Sequence, residues 1–139
     1  MKVTLLVVGK TTDSHIEILI QDYQKRLTHY LPFVLQVIPE LKNTKALSPE
    51  QQKQTEGDLI LKAVTASTDL ILLDEHGKEF RSIEFADYVQ KRMSSGRDVV
   101  FVVGGPYGFS EAVYQRANGK ISLSKMTFSH QMVRLFFVE

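Results

Sequence analysis

The sequence predicts an α/β fold, a mostly parallel sheet flanked by helices. Three observations carry that prediction. Strand-like and helix-like segments alternate along all 139 residues, with no linker, repeat or low-complexity stretch between them. The strand-like runs are apolar on both faces, as strands covered by helices on two sides must be. The chain is also long enough for one domain with a real core, and 43% hydrophobic with 24% charged residues is the balance of a soluble globular protein. The expectation is therefore one domain over residues 1–139.

The first strand is read in "MKVTLLVVGK". Val3, Leu5 and Val7 interleave with Thr4, Leu6 and Val8, and Gly9 closes the run. This apolar stretch is too short for a signal-peptide core, so it is read as a strand and not a targeting segment. Ser14-His15-Ile16-Glu17 fits a capping box. Ile16, Ile20, Tyr23, Leu27 and Tyr30 follow at helical spacing until Pro32 stops the helix. "FVLQVIPE" (33–40) is the second strand, and "LKNTKALS" (41–48) a polar, lysine-bearing, mobile loop. Ser48-Pro49-Glu50-Gln51 opens a second helix: serine as N-cap, proline in the first turn, glutamine at the capping-box position. That helix is expected to reach about Thr65.

"DLILLDEHGK" (69–78) is the third strand, leaving its apolar run at Asp74 and turning at Gly77. Ser82 is read as the cap of a helix with Phe85, Ala86, Val89 and Met93 on one face, stopped by a left-handed Gly96. "RDVVFVVGG" is the fourth strand, "SEAVYQRANGK" a short helix, "KISLS" a fifth strand and "SHQMVRLFFVE" a final helix.

In parallel sheets ligands sit beyond the carboxyl ends of the strands. Three segments supply loops there: "LLDEHGK", "VVGGPYGF" and "ISLSKMTFSH". If their strands are neighbours, the loops make one site. Gly104-Gly105-Pro106-Tyr107-Gly108 is neither GxGxxG nor a P-loop, because Pro106 breaks the first spacing and Phe109-Ser110 stands where the second needs Lys-Ser/Thr. Glu111, in the first turn of the following helix, repels an anion. The loop therefore suits a ligand that is neutral or cationic at that point; the same glycines also suit a tight strand-to-helix turn. Ser122, Ser124, Thr127 and Ser129 offer donors and acceptors to a flat heterocycle, or serve as ordinary loop and cap residues, with Ser129 as N-cap of the last helix.

His130 and Arg134 are four apart and share a helix face. A neutral histidine at a helix start can accept a proton, and an arginine beside it can hold an RNA phosphate. Both also fit a plain exposed face. Asp74 and Glu75 form either an acid–base pair or an exposed strand-end turn. The four histidines, His15, His29, His76 and His130, show no metal-ligand spacing, so no metal is expected. No cysteine is present, which removes disulfide and thiolate chemistry and fits a reducing, cytoplasmic setting. No apolar run approaches the roughly 20 residues of a membrane span. A net charge of +1 is too small to hold RNA by charge alone. In the last helix Met132, Val133, Leu135, Phe136, Phe137 and Val138 place apolar side chains all round, with Arg134 the polar exception. Such a helix must be buried. At the end of a small domain, a second copy of the chain buries it most readily, so a homodimer is expected.

Taken together, "MKVTLLVVGK", "LLDEHGK", "GRDVVFVVGGPYGFS" and "ISLSKMTFSHQMVRLFFVE" resemble the SPOUT-class ribosomal RNA large subunit methyltransferase H family, also called YbeA-like, over nearly the whole chain. The resemblance implies a C-terminal trefoil knot and a homodimer. It implies an S-adenosylmethionine-dependent enzyme that methylates N3 of a pseudouridine in large-subunit ribosomal RNA on the assembled ribosome. Carried over by position, it places the cofactor against Leu73, Gly104, Gly105, Ser124, Lys125, Met126, Thr127, Phe128 and Ser129. His130 then becomes the candidate proton acceptor and Arg134 the candidate holder of the RNA backbone. Family members continue beyond the position of Glu139 into a tail implied to cover the cofactor and receive RNA. Two rivals are a homologue that binds cofactor and ribosome without turnover, and a flavodoxin-like nucleotide-binding domain with a phosphate at "GGPYG".

Overall fold

The computed structural model describes residues 1–42 and 44–139. Five strands form one all-parallel sheet in the order β2-β1-β4-β3-β5. They are β1 (Val3–Val8), β2 (Phe33–Ile38), β3 (Asp69–Glu79), β4 (Val99–Val103) and β5 (Gly119–Ser122). Helices α1 (Ser14–Leu27), α2 (Pro49–Ala63), α3 (Ser82–Ser94), α4 (Glu111–Arg116) and α5 (His130–Val138) fill the connections and the chain end. Part of the 41–48 loop is a short 3₁₀ turn at Thr44–Ala46; Asn43, within the same loop, lies outside the described residues.

Both faces of the sheet are covered, as the doubly apolar strands require. On one face Leu5, Val7, Ile71, Phe101 and Val103 meet Ile20 of α1 and Val138 of α5, with Phe85 and Tyr88 of α3 packed alongside. On the other, Leu6, Leu72 and Val102 meet Ile60 of α2 and Val113 of α4. Leu5 and Leu6 are consecutive and both fully buried, one in each layer. The assignment of helices to faces follows the right-handed crossover rule: connections running toward β2 use one face, those running toward β5 the other.

The caps explain where helices begin. Ser48 and Gln51 form the expected box: Ser48 Oγ accepts from Gln51 N at 3.1 Å and Gln51 Oε1 from Ser48 N at 2.9 Å. Two boundaries differ by one residue. Asp13, not Ser14, caps α1, its Oδ1 accepting from His15 N and Ile16 N at 2.9 and 3.1 Å. A carboxylate is the stronger acceptor for helix N–H groups. At α3 the cap is Arg81, whose N–H donates to Glu84 Oε1 at 2.7 Å, while Ser82 is the first helical residue. Tyr30 is outside α1 and 82% exposed, and Tyr88 takes the inward place expected of Ala86. Gly96 has φ +75°, the expected left-handed stop.

Strand β3 is not a strand followed by a turn. Leu73 pairs with Ile121, and so does Lys78. Asp74 to Gly77 therefore leave the ladder as an excursion and the chain returns to the same partner. Gly77 is where it returns: a Cβ there would lie 2.6 Å from the Ile121 carbonyl carbon. Close approach of two backbones, and not a turn angle, is why glycine stands at 77.

Candidate functional site

The order β4-β3-β5 makes the three strands with ligand-type loops neighbours. Their carboxyl ends enclose a cleft of about 470 Å³, within the range of small-molecule sites. The cleft is lined by the β3 excursion, the glycine loop after β4, and the segment from Ser122 to His130 after β5. Leu73, Gly104, Gly105, Ser124, Met126, Thr127 and Phe128 all face it, as does His130.

Three sequence-nominated residues do not. Lys125 is exposed, its Nζ 3.7 Å from Glu79 Oε1. Ser129 serves the helix: its Oγ accepts from Met132 N at 3.2 Å as N-cap of α5. Arg134 is the clearest departure. It is 2% exposed, and its guanidinium donates to the carbonyls of Val8 and Gly9, both at 2.9 Å, and to Thr11 Oγ1 at 3.1 Å. Burial holds its pKa below the usual value, with nearby Glu40 acting in the opposite sense. An arginine spent on the end of β1 is not presented to an RNA phosphate. The i, i+4 relation to His130 holds along the helix, but His130 is at its tip beside the cleft and Arg134 one turn further on, buried against the carboxyl end of β1.

The glycine loop is tight for reasons inside the protein. Gly108 has φ +81°, and its N–H donates to Gly105 O at 3.1 Å. A Cβ on Gly105 would come within 2.2 Å of Glu56 Oε1, and one on Gly104 within 3.0 Å of the Phe109 ring. So these glycines admit neighbours packed behind the cleft wall. Ser110 then caps α4, its Oγ accepting from Val113 N at 3.4 Å.

In the excursion Asp74 is anchored from two sides, while Glu75 is exposed. Tyr114 of α4 donates its hydroxyl to Asp74 Oδ2. His76 donates its backbone N–H to Asp74 Oδ1 at 2.8 Å and places ring Nδ1 3.2 Å away. Burial alone would raise the Asp74 pKa, but the bonds from Tyr114 and His76 outweigh it and hold it below the usual range. Tyr114 is pushed well above an ordinary phenol, first by burial and then by the Asp74 carboxylate. After β5, Ser122 Oγ donates to Ser124 O at 2.9 Å and Met126 N to Ser124 Oγ at 2.9 Å, which fixes the turn over the cleft. Tyr114 and Glu56 were not singled out from the sequence. The one available signal for Tyr114 was its place one turn beyond Ser110, on the side facing the β3 loop. Among the described residues no cluster of His, Cys, Asp and Glu is arranged to hold a metal, and no helix is long and apolar enough to cross a membrane.

A model of the family described as "Predicted SPOUT methyltransferase" matches residues 1–139. The chain belongs to the SPOUT methyltransferase family. Its relatives include proteins named "Ribosomal RNA large subunit methyltransferase H" from Bacteroides thetaiotaomicron, 61% identical, Phocaeicola vulgatus, 58%, and Flavobacterium johnsoniae, 56%. Each match takes in 100% of this chain and 89% of the relative. In this SPOUT methyltransferase the acidic first turn of α4 and the acidic excursion leave no phosphate cradle at "GGPYG", which sets the flavodoxin-like reading aside.

Proposed function

We propose that this protein uses S-adenosylmethionine to methylate N3 of a pseudouridine in large-subunit ribosomal RNA, acting as a homodimer on the assembled ribosome in the cytoplasm. The observation that carries the reading is the convergence of three strand-end segments, distant in sequence, on one cleft. It is joined by full-length similarity to proteins named as ribosomal RNA methyltransferases.

The residues fit the donor. The cleft has the size of a nucleoside site, Ser122 and Ser124 supply hydroxyls and backbone groups for a heterocycle, and Asp74, Glu75 and Glu111 favour a cation. Leu73, Gly104, Gly105, Ser124, Met126, Thr127 and Phe128 would hold it. When bound, it supplies a methyl group already activated on a sulfonium. The protein's task is then alignment and removal of the N3 proton. His130 is exposed at the cleft edge, at the N-terminus of α5. Its imidazole is the group placed to accept the N3 proton. The Tyr114–Asp74 bond fixes the excursion that closes one side.

The dimer rests on apolar surface left open beside the cleft. Met126 is 72% exposed and Phe136 44%, with the Phe128 ring tilted against Phe136 at 5.0 Å between ring centroids. A net charge of +1 favours recognition of a ribosomal surface over free RNA. The test is mass mapping of ribosomal RNA from a strain lacking the gene, complemented with wild type or His130→Ala. Restoration by wild type alone supports the reading. Methylation unaffected by gene loss overturns it, and methylation restored equally by both removes His130 from the mechanism.

A further inference from the structure

Two acids among the described residues are buried and have no part in the mechanism above; Arg92 and Arg97 pair Asp69, and Glu56 is the other. It sits on α2, which braces the glycine loop at both ends. A Cβ on Gly57 would meet Ser110 Oγ at 2.3 Å, and the Glu56 carboxylate lies where a Cβ of Gly105 would be. Glu56 is 4% exposed. Its Oε2 accepts from Gln52 Nε2 at 3.3 Å, while Oε1 has no hydrogen-bond partner among the described residues. Among the described residues it forms no ion pair with a lysine or arginine. The titratable groups that bear on it are His130, of favourable sign when charged, and Glu40, of unfavourable sign. Burial holds its pKa above the ordinary carboxylate value, with Gln52 and His130 opposing.

A buried carboxylate with an orphaned oxygen and no cation is costly to keep, and replacing such a group by an apolar one usually stabilises a fold. The cost is incurred here one glycine away from the cleft. Gly105 has no side chain to screen the charge from whatever occupies the far side.

We propose that the missing counter-charge is the sulfonium of the bound methyl donor, so that Glu56 makes the cleft select the cationic donor over its neutral demethylated product. This rests on the donor-site reading above. Glu56 touches neither donor nor RNA; it acts through the Gly105 wall. Transfer moves the methyl from sulfur to N3 and the N3 proton to His130, leaving a neutral thioether in the cleft. The attraction to Glu56 then lapses, and product is released while fresh donor is favoured.

The test is calorimetric binding of S-adenosylmethionine and S-adenosylhomocysteine to full-length wild type, Glu56→Gln and Glu56→Met. The expected result is donor affinity about tenfold weaker in both variants, with product affinity unchanged within twofold. A unit-charge pair roughly 10 Å apart at an effective dielectric of about 20 gives an effect of this order. A structural role alone would move both ligands together, and equal loss for donor and product overturns the proposal, as does no loss. Failure of both variants to fold also overturns it, since Glu56 would then be a scaffold residue. Wild type that binds neither ligand would instead overturn the donor-site reading, a result distinguishable from the others.

Discussion

Replacing Arg134 by methionine separates two roles that sequence and structure assign to it. The side chain is buried and donates to the Val8 and Gly9 carbonyls and to Thr11 Oγ1. Methionine fills similar space and donates nothing. Two main-chain acceptors at the end of β1 are then orphaned, at about 1–3 kcal/mol each. Relief from burying the guanidinium, whose Nε has no partner among the described residues, returns part of that cost. The net loss should be about 2–4 kcal/mol. In a chain of 139 residues, where 1 kcal/mol moves Tm by roughly 3–4 °C, that is a fall of about 6–16 °C. Thermal unfolding at fixed protein concentration, checked by urea titration, reads it; fixing concentration matters because a dimer's Tm depends on it. Arg134→Lys should recover less than half, because an ammonium cannot reach three acceptors in a fork. The reasoning fails if Arg134→Met unfolds with wild type while ribosomal methylation is lost. That result would return the arginine to an RNA phosphate.

Other outcomes follow from the same geometry. His130→Gln should leave S-adenosylmethionine affinity within about threefold and slow methylation at least ~100-fold, measured by single-turnover transfer to ribosomes. Tyr114→Phe removes the donor to Asp74 and should cost about 1.5–3 kcal/mol at pH 7 by urea unfolding. Because folding depresses the Asp74 pKa, that difference is present above the unfolded carboxylate value of about 4 and fades as pH falls through the folded one; a difference constant from pH 7 to pH 2.5 would contradict it. Gly77→Ala sets a methyl 2.6 Å from backbone of Ile121 that cannot step aside. It should cost more than about 2 kcal/mol and weaken donor binding together, read by Tm and calorimetry.

The strands were legible because a parallel sheet buries both faces of each, so Val3–Val8 and Val99–Val103 stand out as uninterrupted apolar runs. Their adjacency was not, since nothing in a run of valines names its partner. Caps were readable to within a residue: Asp13 and Ser14 are both competent caps, and the charged acceptor took the place. Within the candidate site, small and hydroxyl residues marked the loops that the fold brings to one cleft. Which member of a loop faces inward was less visible, and Lys125 and Ser129 turn away while their neighbours line the cleft. Glu56 escaped notice because a glutamate in "QKQTEGDL" reads as an exposed helix position. Arg134 escaped because a cation at four residues from a histidine suggests a shared surface, and burial of arginine depends on distant carbonyls at Val8 and Gly9.

The placement of β1 sets a timetable for the nascent chain. It precedes the other four strands of the sheet in the sequence, yet it lies between β2 and β4. Val99 N donates to Lys2 O across nearly a hundred residues of chain. At translation speeds of about 5–20 residues per second, β1 waits several seconds for β4 with one flank unpaired. Contacts so remote in sequence also slow the search for the native arrangement. A short hydrophobic ribbon exposed for that long is a natural client for chaperones that scan polypeptides as they leave the ribosome.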